Sequence, residues 1–385
     1  MNTFVAAIAS LVTMLPAVGQ AQAPDHDVKL REAVRVIQQT PVERRTQERV
    51  RQSAERAREE RQRERERAQE RANQYRREYR DEQTEKISRT LKIGANGELD
   101  ISNLSGDIIV TRGGGDDVRI DALKVARGRT VEDAREMLSY VTLDFTERGS
   151  RAEVKTVYRN HEERSRTHRS LNVSVQYAVT APEHVRISAR SLSGNIQVTG
   201  IKGDLNLVSL SGNVSISQGA RVMLAKSTSG EVEIMDLRSE VPLEAHTTSG
   251  GVVIRQSRAP RMELNSVSGN LIVTDVDCPR IEAQTLSGNV ELNSPLSKNG
   301  RYELTSHSGE IRIKPSGNTG FELDANSFSG NIQSDLTLKE QRQGGADDSR
   351  RGQGGRTRTL RGVYGDGSAT LDITTFSGSV VIGKK

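Results

Sequence analysis

The chain has 385 residues, with 56 Lys and Arg against 51 Asp and Glu, a formal net charge of +5. Seven Tyr, five Phe and no Trp exclude an aromatic-centred globule and leave a core that must be aliphatic, which suits narrow stacked layers. A single cysteine excludes an internal disulfide and any cysteine-rich metal centre, and the six histidines stand at no recognised metal spacing.

Residues 4–15 are apolar and are followed by the small residues Gly19, Ala21 and Ala23. This predicts a secretory signal peptide over 1–21, cleaved after Ala21, although no Lys or Arg precedes the apolar run. No cysteine lies near the cleavage point to carry a lipid, and no later apolar run approaches the ~20 residues of a membrane helix. The expected location is extracytoplasmic, in the periplasm or at the cell surface.

Residues 22–42 read as a flexible linker. From 43 to 86 the composition turns to Arg, Glu and Gln, with 15 basic against 12 acidic side chains, a net of +3. Glu59 with Arg63 and Glu82 with Lys86 are favourable i,i+4 pairs, and Ala68, Ala72, Tyr75 and Tyr79 form one thin stripe. The segment predicts a long charged α-helix, read first as a solvated spacer. A weak coiled coil or partner helix is the alternative, limited because Arg61 and Glu64 interrupt the stripe. Nucleic-acid binding is not expected, because the basic charge is nearly cancelled locally and the signal exports the chain.

From 91 to 385 the sequence predicts one β-repeat domain. Ser-Gly opens it at Ser105 and recurs at Ser193, Ser211, Ser229, Ser249, Ser268, Ser287, Ser308 and Ser329, with a last copy at Ser377. Within the main run the spacing is 18 to 21 residues. After each glycine from Gly194 to Gly309 the second and fourth residues are aliphatic, as in Ile196/Val198, Val232/Ile234 and Val290/Leu292, a period of two that specifies a strand. Before each serine a second alternating set appears, including Leu205/Leu207, Met223/Ala225 and Ile281/Ala283. Two residues before each serine of the main run stands a small hydroxyl, Ser191, Ser209, Ser227, Thr247, Ser266, Thr285, Ser306 and Ser327. The Ser-Gly corner is expected to need a positive φ that glycine supplies without steric cost.

One unit of about 20 residues cannot close a core, so neighbouring units must stack. The favoured fold is all-β, a repetitive parallel β-solenoid of the single-stranded β-helix kind; an antiparallel meander or sandwich is the rival. Residues 127–172 interrupt the repeat. Thr130 and Asp133 form a capping-box-like start for a short helix with Ala134, Met137 and Leu138 on its apolar face. A hairpin follows around Gly149. Near the end, residues 339–362 are rich in Gly and Arg and read as a disordered loop before strand pattern resumes at Ala369.

These Ser-Gly-Asn/Glu/Asp repeats, the helix and hairpin between Thr130 and Tyr158, and Val175-x-Tyr177-x-Val179-x-x-Pro182 resemble the bacterial family of unknown function called "putative adhesin", β-strand repeat type. The resemblance covers about residues 91–382; the charged helix and the Gly/Arg loop lie outside it. It implies a repeat fold and supplies no catalytic residues to carry over.

Two columns invite a chemical reading. Glu244, Glu263, Glu282, Glu303 and Asp324 form an acidic ladder, which paired carboxylates of a glycan-cleaving enzyme or a cation site would need. Arg261, Arg280 and Arg301 run beside it, and mutual neutralisation is the favoured account. The residue just before each serine gives Leu104, Leu192, Leu210, Val267, Leu286, Phe328 and Phe376. Strict alternation turns this column outward as a binding stripe, whereas rotation at the corner would bury it. Cys278, beside Pro279, reads as packing. No catalytic, cofactor or metal residue is assigned. The expected function is a non-enzymatic adhesin or envelope-binding module, its partner an envelope protein or surface glycan, with self-association open. The alternatives are a periplasmic structural or signalling protein acting through the charged helix, and a glycan-active β-helix enzyme.

Overall fold

The computed structural model describes residues 80–159, 172–339 and 358–383, with the isolated helical positions Gln62 and Glu70. Two compact units are distinguished, Met1–Tyr75 and Arg76–Lys385. The signal peptide, the linker and the charged helix as far as residue 79 lie outside the described residues apart from those two positions, as do residues 160–171 and 340–357.

The described residues of the second unit form two sheets of 13 strands each. One, the leading sheet, holds the strands that run into Ser-Gly; the other, the trailing sheet, holds those that leave it. Every pairing between one coil of the main run and another is parallel, which excludes the antiparallel meander there. Val214–Ser217 pairs with Val232–Met235, which pairs with Val252–Arg255, and so on through Leu271–Thr274 and Val290–Asn293. The core lies between the sheets. It consists of the alternating aliphatics expected from the sequence, with Leu205, Leu207, Ile216, Ile234, Leu243 and Leu264 all fully buried.

One pair departs from the expected phase. Met223 is 45% exposed while Val222 is buried in its place. The register shifts between Leu205 and Asn206, which face Val222 and Leu224, so Met223 is the extra residue of a β-bulge.

The corner glycines are required for a reason other than the expected one. Of the ten, only Gly106 has a positive φ, at 107°. The other nine are crowded: a Cβ on any of them would lie 1.7 to 2.2 Å from the carbonyl oxygen of the corner glycine in the neighbouring coil. The invariant hydroxyls serve the same ladder. Ser227 Oγ donates to Gly212 O at 2.7 Å, Thr247 Oγ1 to Gly230 O at 3.1 Å and Ser306 Oγ to Gly288 O at 2.9 Å. Seven of the eight hydroxyls of the main run donate to a corner-glycine carbonyl in this way; Ser191 Oγ is the exception and has no partner among the described residues. Positive φ belongs instead to the corner after the trailing strand, at Gly200, Gln218, Asp236, Gln256 and Asp275. The sequence reading missed that column because four of these five residues are not glycine.

Stacking order departs from chain order at two places: the coil of residues 98–112 lies between the strands of residues 151–158 and 173–181 and the coil of residues 186–199, and a second departure falls toward the other end. Ala369–Thr375 pairs on one side with Arg301–Ser306 and on the other with Phe321–Ser327. In the trailing sheet Val380–Ile382 lies between Ile311–Ile313 and Ile332–Ser334. The coil of residues 369–382 is therefore inserted between two coils that precede it in sequence.

Antiparallel pairings finish the stack at three of its four sheet margins; the fourth is the parallel strand Ile332–Ser334. Helix α1, Val131–Ser139, starts at Thr130, whose side chain accepts from Asp133 N–H, and buries Ala134, Met137 and Leu138. It leads to the hairpin of Val141–Arg148 and Arg151–Tyr158. Lys124, buried beneath the helix, donates to Leu138 O at 3.3 Å and Val141 O at 2.9 Å and pairs with Glu85. Its charge thus completes the end of the helix, where carbonyls lack intrahelical donors.

Two expected boundaries need correction. Residues 81–86, placed in the charged helix, belong to the strand Asp81–Leu91, antiparallel to Val118–Gly128. Their charges pair across strands, Glu82 with Arg127 at 3.0 Å and Glu85 with Lys124, rather than along a helix. Residues 358–362, placed in the disordered loop, belong to Arg358–Tyr364, antiparallel to Phe321–Ser327, with Arg361 on Asp324 at 3.1 Å. In both places a neighbouring strand overrides a composition that reads as helix or loop.

Replacing Gly269 by Ala puts a methyl group 1.9 Å from the Gly250 carbonyl. It is expected to cost about 3 kcal/mol or more, since backbone rather than a flexible side chain must move. Gly114→Ala, with nothing within 4 Å, is expected to leave the thermal unfolding midpoint unchanged.

Candidate functional site

The residue before each corner serine continues the outward phase of the leading strand. Its backbone is fixed by a second ladder that crosses the corner. Ser211 N–H donates to Leu192 O at 3.1 Å, Ser229 N–H to Leu210 O at 3.0 Å, Ser287 N–H to Val267 O at 2.8 Å and Ser329 N–H to Phe376 O at 2.9 Å. Side chains are therefore held one per coil, about 4.8 Å apart, in a continuous row.

In stacking order the row reads Leu104, Leu192, Leu210, Thr228, Thr248, Val267, Leu286, His307, Phe376 and Phe328. Its seven apolar members other than His307 and the two threonines are 40 to 53% exposed, from Leu104 at 40% to Leu286 at 53%. The corner leaves them outside, and each covers part of its neighbour. At one end three rings stack: His307 on Phe376 at 4.8 Å and 7° between planes, Phe376 on Phe328 at 4.7 Å and 5°. The inserted coil supplies the middle ring. Sequence order had placed Phe328 next to His307; the structure puts Phe376 between them.

A third ladder runs just past the glycines. Asn195 N–H donates to Asp107 Oδ1 at 2.8 Å, Asn213 N–H to Asn195 Oδ1 at 2.9 Å and Glu231 N–H to Asn213 Oδ1 at 2.9 Å. It resumes at Asn270 and Asn289. Glu231 and Gly251 interrupt it in the same two coils in which Thr228 and Thr248 interrupt the apolar row.

The acidic ladder lies across the same sheet, with Glu244, Glu263, Glu282 and Glu303 in register. Arg261 bridges Glu263 at 3.4 Å and Glu282 at 3.2 Å, and Arg301 reaches Glu303 at 2.7 Å and Asp372 at 3.7 Å. Asp372 enters this column between Glu303 and Asp324 with the inserted coil. Burial, together with the nearby charges of Glu303, Asp324 and Glu322, holds its carboxyl above the ordinary aspartate range despite Arg301. Among the described residues no group of three or more His, Cys, Asp or Glu is arranged to hold a metal ion.

Toward the opposite end a groove of about 490 Å³ carries Glu98, Asp100, Arg151, Arg186 and Arg190 beside Met223. Arg151 bonds Asp100 at 2.7 Å and Glu98 at 3.3 Å, so opposite charges fill it. Sequence reasoning missed this network, because Arg151 comes from the hairpin and its partners from the first coil. Cys278 is fully buried, donates to Arg280 O at 3.0 Å, and burial pushes its thiol up to about 11.

Two measurements follow from these environments. Cys278 is expected to stay unmodified by iodoacetamide at pH 7.5 in the native chain and to react fully in denaturant, because little thiolate forms. A carboxyl whose folded pKa is raised binds protons more readily in the native state, so Asp372 contributes stability as pH falls and loses it as pH rises. Asp372→Asn is accordingly expected to raise the unfolding midpoint at pH 7, and the gain should vanish as pH falls through the aspartate range.

Comparison with known proteins matches a family model described as Toastrack DUF4097 to residues 96–382. No curated protein matches. Among solved structures, a "putative adhesin" from Bacteroides fragilis is 11% identical, with 78% of this chain and 97% of that one covered and a TM-score of 0.33. A "putative lipid binding protein" from Parabacteroides distasonis is 12% identical, over 62% of this chain and 92% of that one, at a TM-score of 0.34. A "putative cell adhesion protein" from Clostridium sporogenes is 9% identical, over 79% and 100%, at 0.20.

Proposed function

The chain belongs to the Toastrack DUF4097 family, and from that premise we propose that it is a non-enzymatic, extracytoplasmic binding module whose contact face is the apolar row beside the corner serines. The unit of that face is one solenoid coil of about 20 residues, each adding one side chain to the row. The observation that carries the reading is the exposure of Leu104, Leu192, Leu210, Val267, Leu286, Phe328 and Phe376 in one line. A soluble chain that leaves so many large apolar side chains contiguous marks a contact surface.

The row favours an envelope protein over a glycan as its partner. Sugars stack on ring faces, and here the faces of His307, Phe376 and Phe328 are turned toward one another, leaving ring edges outward. A row of aliphatic side chains and ring edges matches another apolar protein surface. The carboxylates on the same sheet are engaged by Arg261 and Arg301, which supports a structural part for them rather than a catalytic one.

Leu192→Ser, Leu210→Ser and Leu286→Ser, combined, test the proposal. Each change lies at a half-exposed position and is expected to cost about 0.5 kcal/mol. Cells displaying equal amounts of the full chain and of the triple variant are compared for cell-to-cell attachment. Attachment is expected to fall at least tenfold while the unfolding midpoint moves by only a few degrees. Unchanged attachment overturns the reading, and unfolding of the variant shows the row to be core.

A further inference from the structure

We infer that the gap between the coil of residues 301–313 and the coil of residues 321–334 is an insertion site for a β-coil, and that it accepts the 369–382 coil of a second copy of this chain as well as its own.

The gap is defined by complete ladders on both walls. Ala369–Thr375 and Val380–Ile382 each pair in parallel with a strand on either side. Elsewhere in the main run a coil stacks on the coil before it in sequence. Here the coil of residues 321–334 stands one level away from its predecessor, and a later segment occupies the space.

Every recognition element of the occupant is a repeat feature rather than a consequence of chain connection. Leu371, Ile373, Val380 and Ile382 are fully buried. The Cβ position of Gly378 lies under Gly309 O, and Gly378 O accepts from Ser327 Oγ at 3.0 Å. The Phe376 ring is held between His307 and Phe328. An occupant must therefore offer alternating aliphatics, a corner glycine free of Cβ and a flat ring just before its serine. The same coil of a second copy meets all three requirements. Exchange of an identical element preserves every contact, so the balance between own and foreign coil follows concentration, and insertion between strands uses the backbone groups already present.

The test uses full-length chains carrying Cys278→Ala. Thr305 and Thr374 face outward at paired positions of adjacent strands, within the separation a disulfide can bridge. Thr305→Cys chains and Thr374→Cys chains are mixed, unfolded together, refolded over a range of concentrations and oxidised. A covalent heterodimer whose yield rises with concentration, at least fivefold above that of Lys226→Cys mixed with Thr374→Cys, is expected. A yield no higher than that control overturns the inference, provided the Thr305→Cys/Thr374→Cys double variant closes its internal bond. Failure of the double variant to close that bond overturns it as well, because the coil would then not occupy the gap.

Discussion

A carbonyl oxygen of one corner glycine occupies the space where the Cβ of the next would stand, and this contact governs much of what surrounds it. Coils can approach to strand-pairing distance at the corner only if that position lacks a side chain. Once they do, the carbonyl needs a donor, and the buried Ser or Thr two residues before the serine supplies it. Corner and hydroxyl together lock the register of both sheets, because a slip of one residue would bring a Cβ against a carbonyl and bury a charged column. Exposure of the residue before the serine follows: with the hydroxyl turned inward and the chain about to reverse, its side chain has only the outside left.

The parts of the fold that repeat were legible in the sequence. Alternation of aliphatics around Ser-Gly specified two strands per unit and which residues face inward, since a local period of two reports a local geometry. The helix start at Thr130 was legible for the same reason, a cap being an interaction over three residues. What the sequence obscured was set by distant partners. The strand Asp81–Leu91 carries a composition suited to a helix and is held by ion pairs to a strand some 40 residues away. Arg358–Tyr364 looks like loop and is held by Asp324 and the Phe321–Ser327 backbone. The bulge at Met223 moved a predicted core residue outside without any change in local hydrophobicity.

The candidate site was half legible. Its residues could be named from spacing, but not whether the corner turns them outward, because that depends on how closely neighbouring coils approach. Their order in space was also hidden. Phe376 stands far from Phe328 in sequence, and only the pairing of the later coil with Arg301–Ser306 brings its ring between His307 and Phe328. The acidic ladder illustrates the converse. It was legible as a column, yet its chemistry is decided by Arg261 and Arg301 reaching across it.

The antiparallel strands that close the stack carry a consequence for growth. Parallel in-register coils with a repeating glycine corner are close in geometry to the layers of an amyloid fibril, which lengthens by adding identical segments to an open edge. Val141–Arg148 at one margin and Arg358–Tyr364 at another run against the direction of the repeat and present their backbone groups in the opposite sense. Asp81–Leu91, which runs with the repeat because Val118–Gly128 stands reversed between them, instead presents a dense row of charges. A further parallel coil cannot continue its ladder at the two reversed margins, and at Asp81–Leu91 it meets charge, so growth is opposed there by direction and by charge.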